Sequence, residues 1–209
     1  MSNHSRHKKN SGFSLLEVLV VVAIAGAIVL IVGNFGNNIS GLNTLVSSEL
    51  QAKSGVTQEV QIMVEAIQSA KTSANGGYPI DAASTSSFAF YTDINKNGTA
   101  DHVRYFYASS TIYQGIIAPT GTPATYSTSS EVLTSFIGNV IIPSSTPLFS
   151  YYDTSYTGTQ SPLTSPIAAS AVRLVRVSFE VQANQTSTLS RSPLQYFSSL
   201  VDIRNLDSN

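Results

Sequence analysis

Two stretches of the chain place chemically capable residues at informative intervals. In the first, Ser11-Gly12-Phe13-Ser14-Leu15-Leu16-Glu17-Val18-Leu19, a lone carboxylate sits inside an apolar run. Gly12 has no side chain, so another molecule can approach the backbone closely there. An ammonium placed at the head of the apolar helix that follows would lie about one turn from Glu17. In low dielectric the two charges attract strongly at contact distance, although desolvation takes back much of the bare Coulomb energy. In the second stretch, Asp93-Ile94-Asn95-Lys96-Asn97-Gly98-Thr99-Ala100-Asp101, side-chain oxygens alternate and the sixth residue is glycine. These are the first nine positions of a calcium loop, with Asp93, Asn95, Asn97, Thr99 and Asp101 as the ligand set. The twelfth position holds Arg104 in place of a bidentate Glu, and Asp and Asn are also ordinary turn residues. Calcium binding and a plain hairpin turn both remain open, with Arg104 weighing toward the turn.

Other chemistry is scarce. Cysteine is absent, which excludes disulfides, thiolate metal sites and a cysteine nucleophile. The histidines are His4, His7 and His102, and only His102 lies beyond the N-terminal segment. Asp101 and His102 are adjacent on an expected strand, so their side chains face opposite ways and form no relay. There is no glycine-rich phosphate loop and no GxSxG elbow, so the chain is not expected to be an enzyme. Charged residues make up 11% of the chain, with 11 Lys and Arg against 12 acids, so bulk charge offers no footprint for nucleic acid. Tyr105, Tyr107, Tyr113, Tyr151, Tyr152 and Tyr156 could serve a carbohydrate or partner surface, but aromatic strands more often pack as core.

The elements around Glu17 begin with a basic segment. Residues 1–12 carry Arg6, Lys8 and Lys9 and no acid, and Phe13 to Val32 is apolar except for Ser14 and Glu17. As a helix the run is roughly 30 Å long, the thickness of a bilayer core. The preceding positive charge would hold the N-terminus in the cytoplasm and place the remainder outside. A cleaved secretory signal, with Ala23-Ile24-Ala25 as its site, is opposed by the length of the run and by the acid within it. A plain signal anchor explains the span but leaves Glu17 without a reason, since a charge at mid-bilayer costs on the order of 3 kcal/mol. Glu17 could also serve simply as a favourable acid in the first helical turn, worth about 0.3 to 1 kcal/mol.

The register of basic leader, Gly12, Phe13, Glu17 and apolar helix resembles the prepilin processing motif of type IV pilins and type II secretion pseudopilins. The resemblance covers about the first 33 residues. It implies cleavage after Gly12 by a membrane-embedded prepilin peptidase, methylation of the Phe13 amine, and pairing of Glu17 with the N-terminal amine of a neighbouring subunit. It further implies storage as a single-pass protein of the inner membrane and assembly with other pilins or pseudopilins on an inner-membrane platform. Loss of Arg6, Lys8 and Lys9 leaves 8 Lys and Arg against 12 acids, a formal charge near −4. Many major pilins carry proline where this chain has Asn34. The chain's length and the hairpin from Asp93 to Tyr107 look more like minor pseudopilins of the J type or PilW-like minor pilins, near the fibre tip. The acid at Glu17 argues against the K-type pseudopilin.

Beyond the apolar run, Ile39, Leu42, Val46, Leu50, Val56, Val60, Met63, Val64 and Ile67 recur at spacings of mostly three or four, predicting an amphipathic helix to about Ser73. Gly26, Gly33, Gly36 and Gly41 weaken the junction of its halves. Ala74-Asn75-Gly76-Gly77-Tyr78-Pro79 is a stop signal. The period then changes to two. Phe88–Thr92 and Val103–Tyr107 flank Asn97-Gly98 as a hairpin, Thr111–Ile117 adds a strand, and Val172–Val181 and Leu194–Arg204 add two more. Glu131–Ile142 is expected as a short helix, with Gly121–Ser130 and Thr154–Ser170 as loops.

The expected fold is α+β, pilin-like: a long N-terminal helix, transmembrane in its first half and amphipathic in its second, packed on an antiparallel sheet. The expected organisation is a leader over 1–12, a membrane and assembly helix over 13–33, its amphipathic continuation over 34–75, and an extracytoplasmic β-rich domain over 76–209. The expected role is a structural subunit of a type IV pilus or type II secretion pseudopilus. The alternative is a signal-anchored extracellular binding or adhesion module that never enters a fibre.

Overall fold

The computed structural model describes the backbone of residues 15–182 and 194–206, and the side chains of these except 31–53. The chain divides into two compact units, Met1–Ser47 and Ser48–Asn209. Helix α1, Leu15–Gln68, contributes to both. Its backbone is helical without a break through Gly33, Asn34, Gly36 and Gly41.

In the second unit the helix ends at Gln68, short of the expected Ser73. The physical reason is competition from the sheet. The Lys71 amide donates to the Tyr91 carbonyl at 2.8 Å, and the Thr92 and Ser69 hydroxyls meet at 2.9 Å. The chain therefore peels off the helix onto a strand before reaching the glycines. The expected stop signal instead forms a turn, in which the Gly77 amide donates to Ser73 Oγ at 2.6 Å and Gly76 has φ of 86°.

Five strands form one antiparallel meander: β1 (Ile80–Ala83), β2 (Ser87–Thr92), β3 (Asp101–Ala108), β4 (Thr111–Ile117) and β5 (Val132–Ile137). The second sheet is centred on β8 (Leu174–Gln182). Along one edge β8 pairs with β6 (Val140–Ile141) and β7 (Phe149–Tyr152), and along the other with β9 (Leu194–Asp202). The expected helix over Glu131–Ile142 is thus two strands. β4 offers a free edge, and Val132, Leu133, Thr134 and Ser135 pair with Ile116, Gly115, Gln114 and Tyr113. The β-branched residues here suit an extended backbone. β1 and β7 were not expected either; β2, β3, β4, β8 and β9 lie where alternation places them.

One core joins both sheets to the end of the helix. Met63, Ala66 and Ile67 of α1 are buried with Phe88, Phe90, Val103 and Tyr105 of the first sheet and Phe149, Tyr151, Val175, Val177 and Phe179 of the second. Val56, Val60 and Val64 pack against this core in part, so the amphipathic face works where its side chains are described. Tyr105, Tyr151 and Tyr152 are buried, which removes them from any binding surface, while Tyr107, Tyr113 and Tyr156 are half-buried. The hydroxyls of the deepest two have partners: Gln114 Nε2 donates to Tyr105 at 2.7 Å, and Tyr151 donates to the Ser84 carbonyl at 2.8 Å.

On β3, Asp101, Val103 and Tyr105 turn inward and His102, Arg104 and Phe106 outward. Arg104 grips Glu131 with two hydrogen bonds, Nε to Oε1 at 3.0 Å and Nη2 to Oε2 at 2.8 Å. The pair reaches across β4 at Gly115, where a Cβ would collide with the Glu131 carboxylate. Gly115→Ala should therefore push the Glu131 carboxylate off Arg104 and destabilise the protein by about 1 kcal/mol. In a Glu131→Ala background the same change should cost much less. Thermal melts of the four members of this cycle in detergent measure the coupling, and additive effects would show that Gly115 does not serve the ion pair.

Candidate functional site

At the N-terminal end, Gly12 and Phe13 lie outside the described residues. Glu17 occupies the first turn of the described helix and is exposed. Every side chain from Leu15 to Leu30 is exposed as well, including Leu15, Leu16, Leu19, Val22, Val29 and Leu30, each more than 60% accessible. A contiguous apolar surface of this kind is unfavourable in water unless something covers it. Among the described residues no helix is long and apolar enough to cross a membrane. The described side chains of this run stop at Leu30, whereas the expected span runs from Phe13 to Val32.

The second candidate is the connection between β2 and β3. It folds as a chain of side-chain-capped turns. Asp93 Oδ1 accepts the Asn97 amide at 2.9 Å and Oδ2 the Gly98 amide at 2.8 Å. Asn95 Oδ1 accepts the Asn97 amide at 3.1 Å, and Asn97 Oδ1 accepts the Thr99 amide at 2.8 Å. Lys96 and Gly98 both take positive φ, 59° and 91°, as the tight path requires. Burial pulls the Asp93 pKa up, but the Gly98 and Asn97 amides and the Lys71 ammonium outweigh it and hold the carboxyl below its usual range.

Asp101, the last residue of the set, differs from the others. It is fully buried, and neither carboxylate oxygen has a hydrogen-bond partner. Burial and the charge of Asp93 raise its pKa. The Ile94 and Asn95 amides and Lys71 oppose that rise, which places Asp101 on the loop side, yet neither amide closes a hydrogen bond of normal geometry. The structure thus gathers Asp93, Asn95, Asn97, Thr99 and Asp101 in one loop. Among the described residues no three His, Cys, Asp or Glu side chains form a metal cluster, so amide and backbone oxygens would have to complete any cation site here.

Three neighbours of the loop had no signal in the sequence. Lys71 Nζ lies 3.4 Å from Asp93 Oδ2 and 3.3 Å from the Gly98 carbonyl, brought there by the early end of α1. Tyr126 donates to the Ala100 carbonyl at 2.7 Å and accepts the Ala74 amide at 2.9 Å, pinning the far end of the loop. Asp81 lies 3.1 Å from His102 Nε2 on the outer face of the sheet. Each pairing joins residues more than 20 positions apart, beyond the reach of a local pattern.

The Tyr91 ring meets His102 edge-on and Tyr126 at a tilt, and its pKa is pushed up to about 12 by burial, then by the charges of Asp81 and Tyr126. Because the folded value lies above the unfolded one, the contribution of Tyr91 to stability is complete below pH 10 and falls as pH rises toward 12. Asp81→Asn should move the Tyr91 titration to lower pH, as read by NMR of ring-labelled tyrosine. An unchanged titration would mean that Asp81 plays no part in setting it.

Residues 7–33, which include Gly12, Phe13 and Glu17, match the family model of the prokaryotic N-terminal methylation motif. No curated protein matches the chain.

Proposed function

We propose that the chain is a structural subunit of the pilin type, cut after Gly12 by a prepilin peptidase and methylated on Phe13. The observation that carries this reading is the register of Gly12, Phe13 and Glu17 inside the matched methylation motif, continuous with an exposed apolar helical surface. Before assembly, Phe13 to Val32 would anchor the protein once in the cytoplasmic membrane, with the β-rich unit outside. In a type IV pilus or type II secretion pseudopilus, the same surface would pack against the helices of other subunits. Glu17 would meet the Phe13 ammonium of a neighbour, a pairing that sets the step between subunits. The role is mechanical rather than catalytic. A minor subunit of the J-type or PilW-like kind, placed near the tip, fits the length of the chain and the hairpin from β2 to β3.

Glu17→Val keeps the apolar character of the helix while removing the partner of the amine. It should insert and be processed like the wild type, yet be missing from the sheared fibre fraction probed with antibody to the β-rich unit. Incorporation at wild-type level would overturn the assembly role of Glu17.

A further inference from the structure

We infer that the loop from Asp93 to Asp101 is a calcium site, with Lys71 as a displaceable cation beside it. The inference is independent of the fibre role. A fully buried carboxylate with no hydrogen bond of normal geometry is costly, because the Ile94 and Asn95 amides and the Lys71 ammonium offset its desolvation only in part. Every other side-chain oxygen of Asp93, Asn95 and Asn97 that accepts a bond caps an amide of the same loop, which orders these oxygens around one short stretch of chain. Asp101 closes that stretch and lies on the side that faces Ile94, Asn95, Asp93 and Lys71.

Lys71 does not solve the problem of Asp101. Its ammonium sits at 3.4 Å from Asp93, a loose pair, and makes no hydrogen bond to Asp101. One positive charge faces two carboxylates, and a third of the Lys71 side chain is exposed, so it can swing into water. A divalent cation would balance both carboxylates at once.

The objection from Arg104 also disappears. Arg104 belongs to the outward face of β3, opposite Asp101, and its guanidinium is engaged by Glu131 and lies 4.2 Å over the Phe106 ring. It therefore places no charge in the loop. The ligands would be the carboxylates of Asp93 and Asp101, the side-chain oxygens of Asn95 and Asn97 and the Thr99 carbonyl, with water for the rest. Hard oxygen donors in this number suit calcium, whereas magnesium demands a tighter octahedron. Without the bidentate Glu, affinity should be weak, with a Kd of about 0.1 to 1 mM.

The test is a calcium titration of the full chain in detergent after chelation, by calorimetry and thermal melting, up to about 10 mM. One site per chain and a rise in Tm of roughly 3 to 10 °C are expected. Asp101→Asn should raise the Tm of the metal-free protein, since it removes a buried unpaired charge, and should lower calcium affinity roughly tenfold or more. Asn97→Ala, at an exposed position, should weaken calcium binding while leaving the fold intact. Lys71→Met should tighten it. Absence of heat and of a Tm shift in both wild type and Lys71→Met would overturn the site. So would an equal response to magnesium, or wild-type affinity in both Asp101→Asn and Asn97→Ala.

Discussion

The constraint behind the rest is an unburied apolar surface. From Leu15 to Leu30 the helix exposes side chains of a kind worth about 1.5 to 3 kcal/mol each when buried. No described residue covers them. In the second unit the end of the same helix has no such deficit, because Met63, Ala66 and Ile67 are buried among the aromatic residues of two sheets. The β-rich unit has a packed core of its own, whereas the apolar helical stretch has no cover among the described residues. On the proposed role, lipid before assembly and neighbouring helices after it would cover this stretch, and its lone acid would pair with an ammonium there.

The packed unit shows how a weakly charged chain uses its few charges. Arg104 and Glu131 clasp across β4 over a glycine, and Asp81 meets His102 on the same outer face. Among the described residues Asp101 alone is buried with unpaired carboxylate oxygens, and it ends a loop whose other polar side chains are already ordered. The Nδ1 of His102, next along β3, is likewise buried without a hydrogen-bond partner, whereas the hydroxyls of Tyr105 and Tyr151 have theirs. The unpaired carboxylate where the loop enters β3 is a place where a cation would relieve an existing cost.

Much of this was legible from residue types because the signals are local. Alternation along Val175, Val177, Phe179 and Val181 foretells β8, and Asn97-Gly98 between aromatic runs foretells the β2–β3 hairpin. What failed was decided by distant partners. Lys71 leaves the helix because Tyr91 offers it a carbonyl, and Val132 to Ile137 extends because β4 has an open edge. The same holds for the loop. Its oxygen spacing was visible in the sequence, but Arg104 looked like an obstacle until Glu131 was seen to hold it on the other face. Gly12 and Phe13 lie outside the described residues, so the structure adds nothing there to the motif itself.

The most direct measurement is the intact mass of the protein purified from cell membranes, with fragmentation of its first residues. A chain beginning at Phe13, one methyl group heavier than the unmodified sequence, is the expected result. A chain that retains residues 1–12, or one that starts beyond the apolar run, would contradict it.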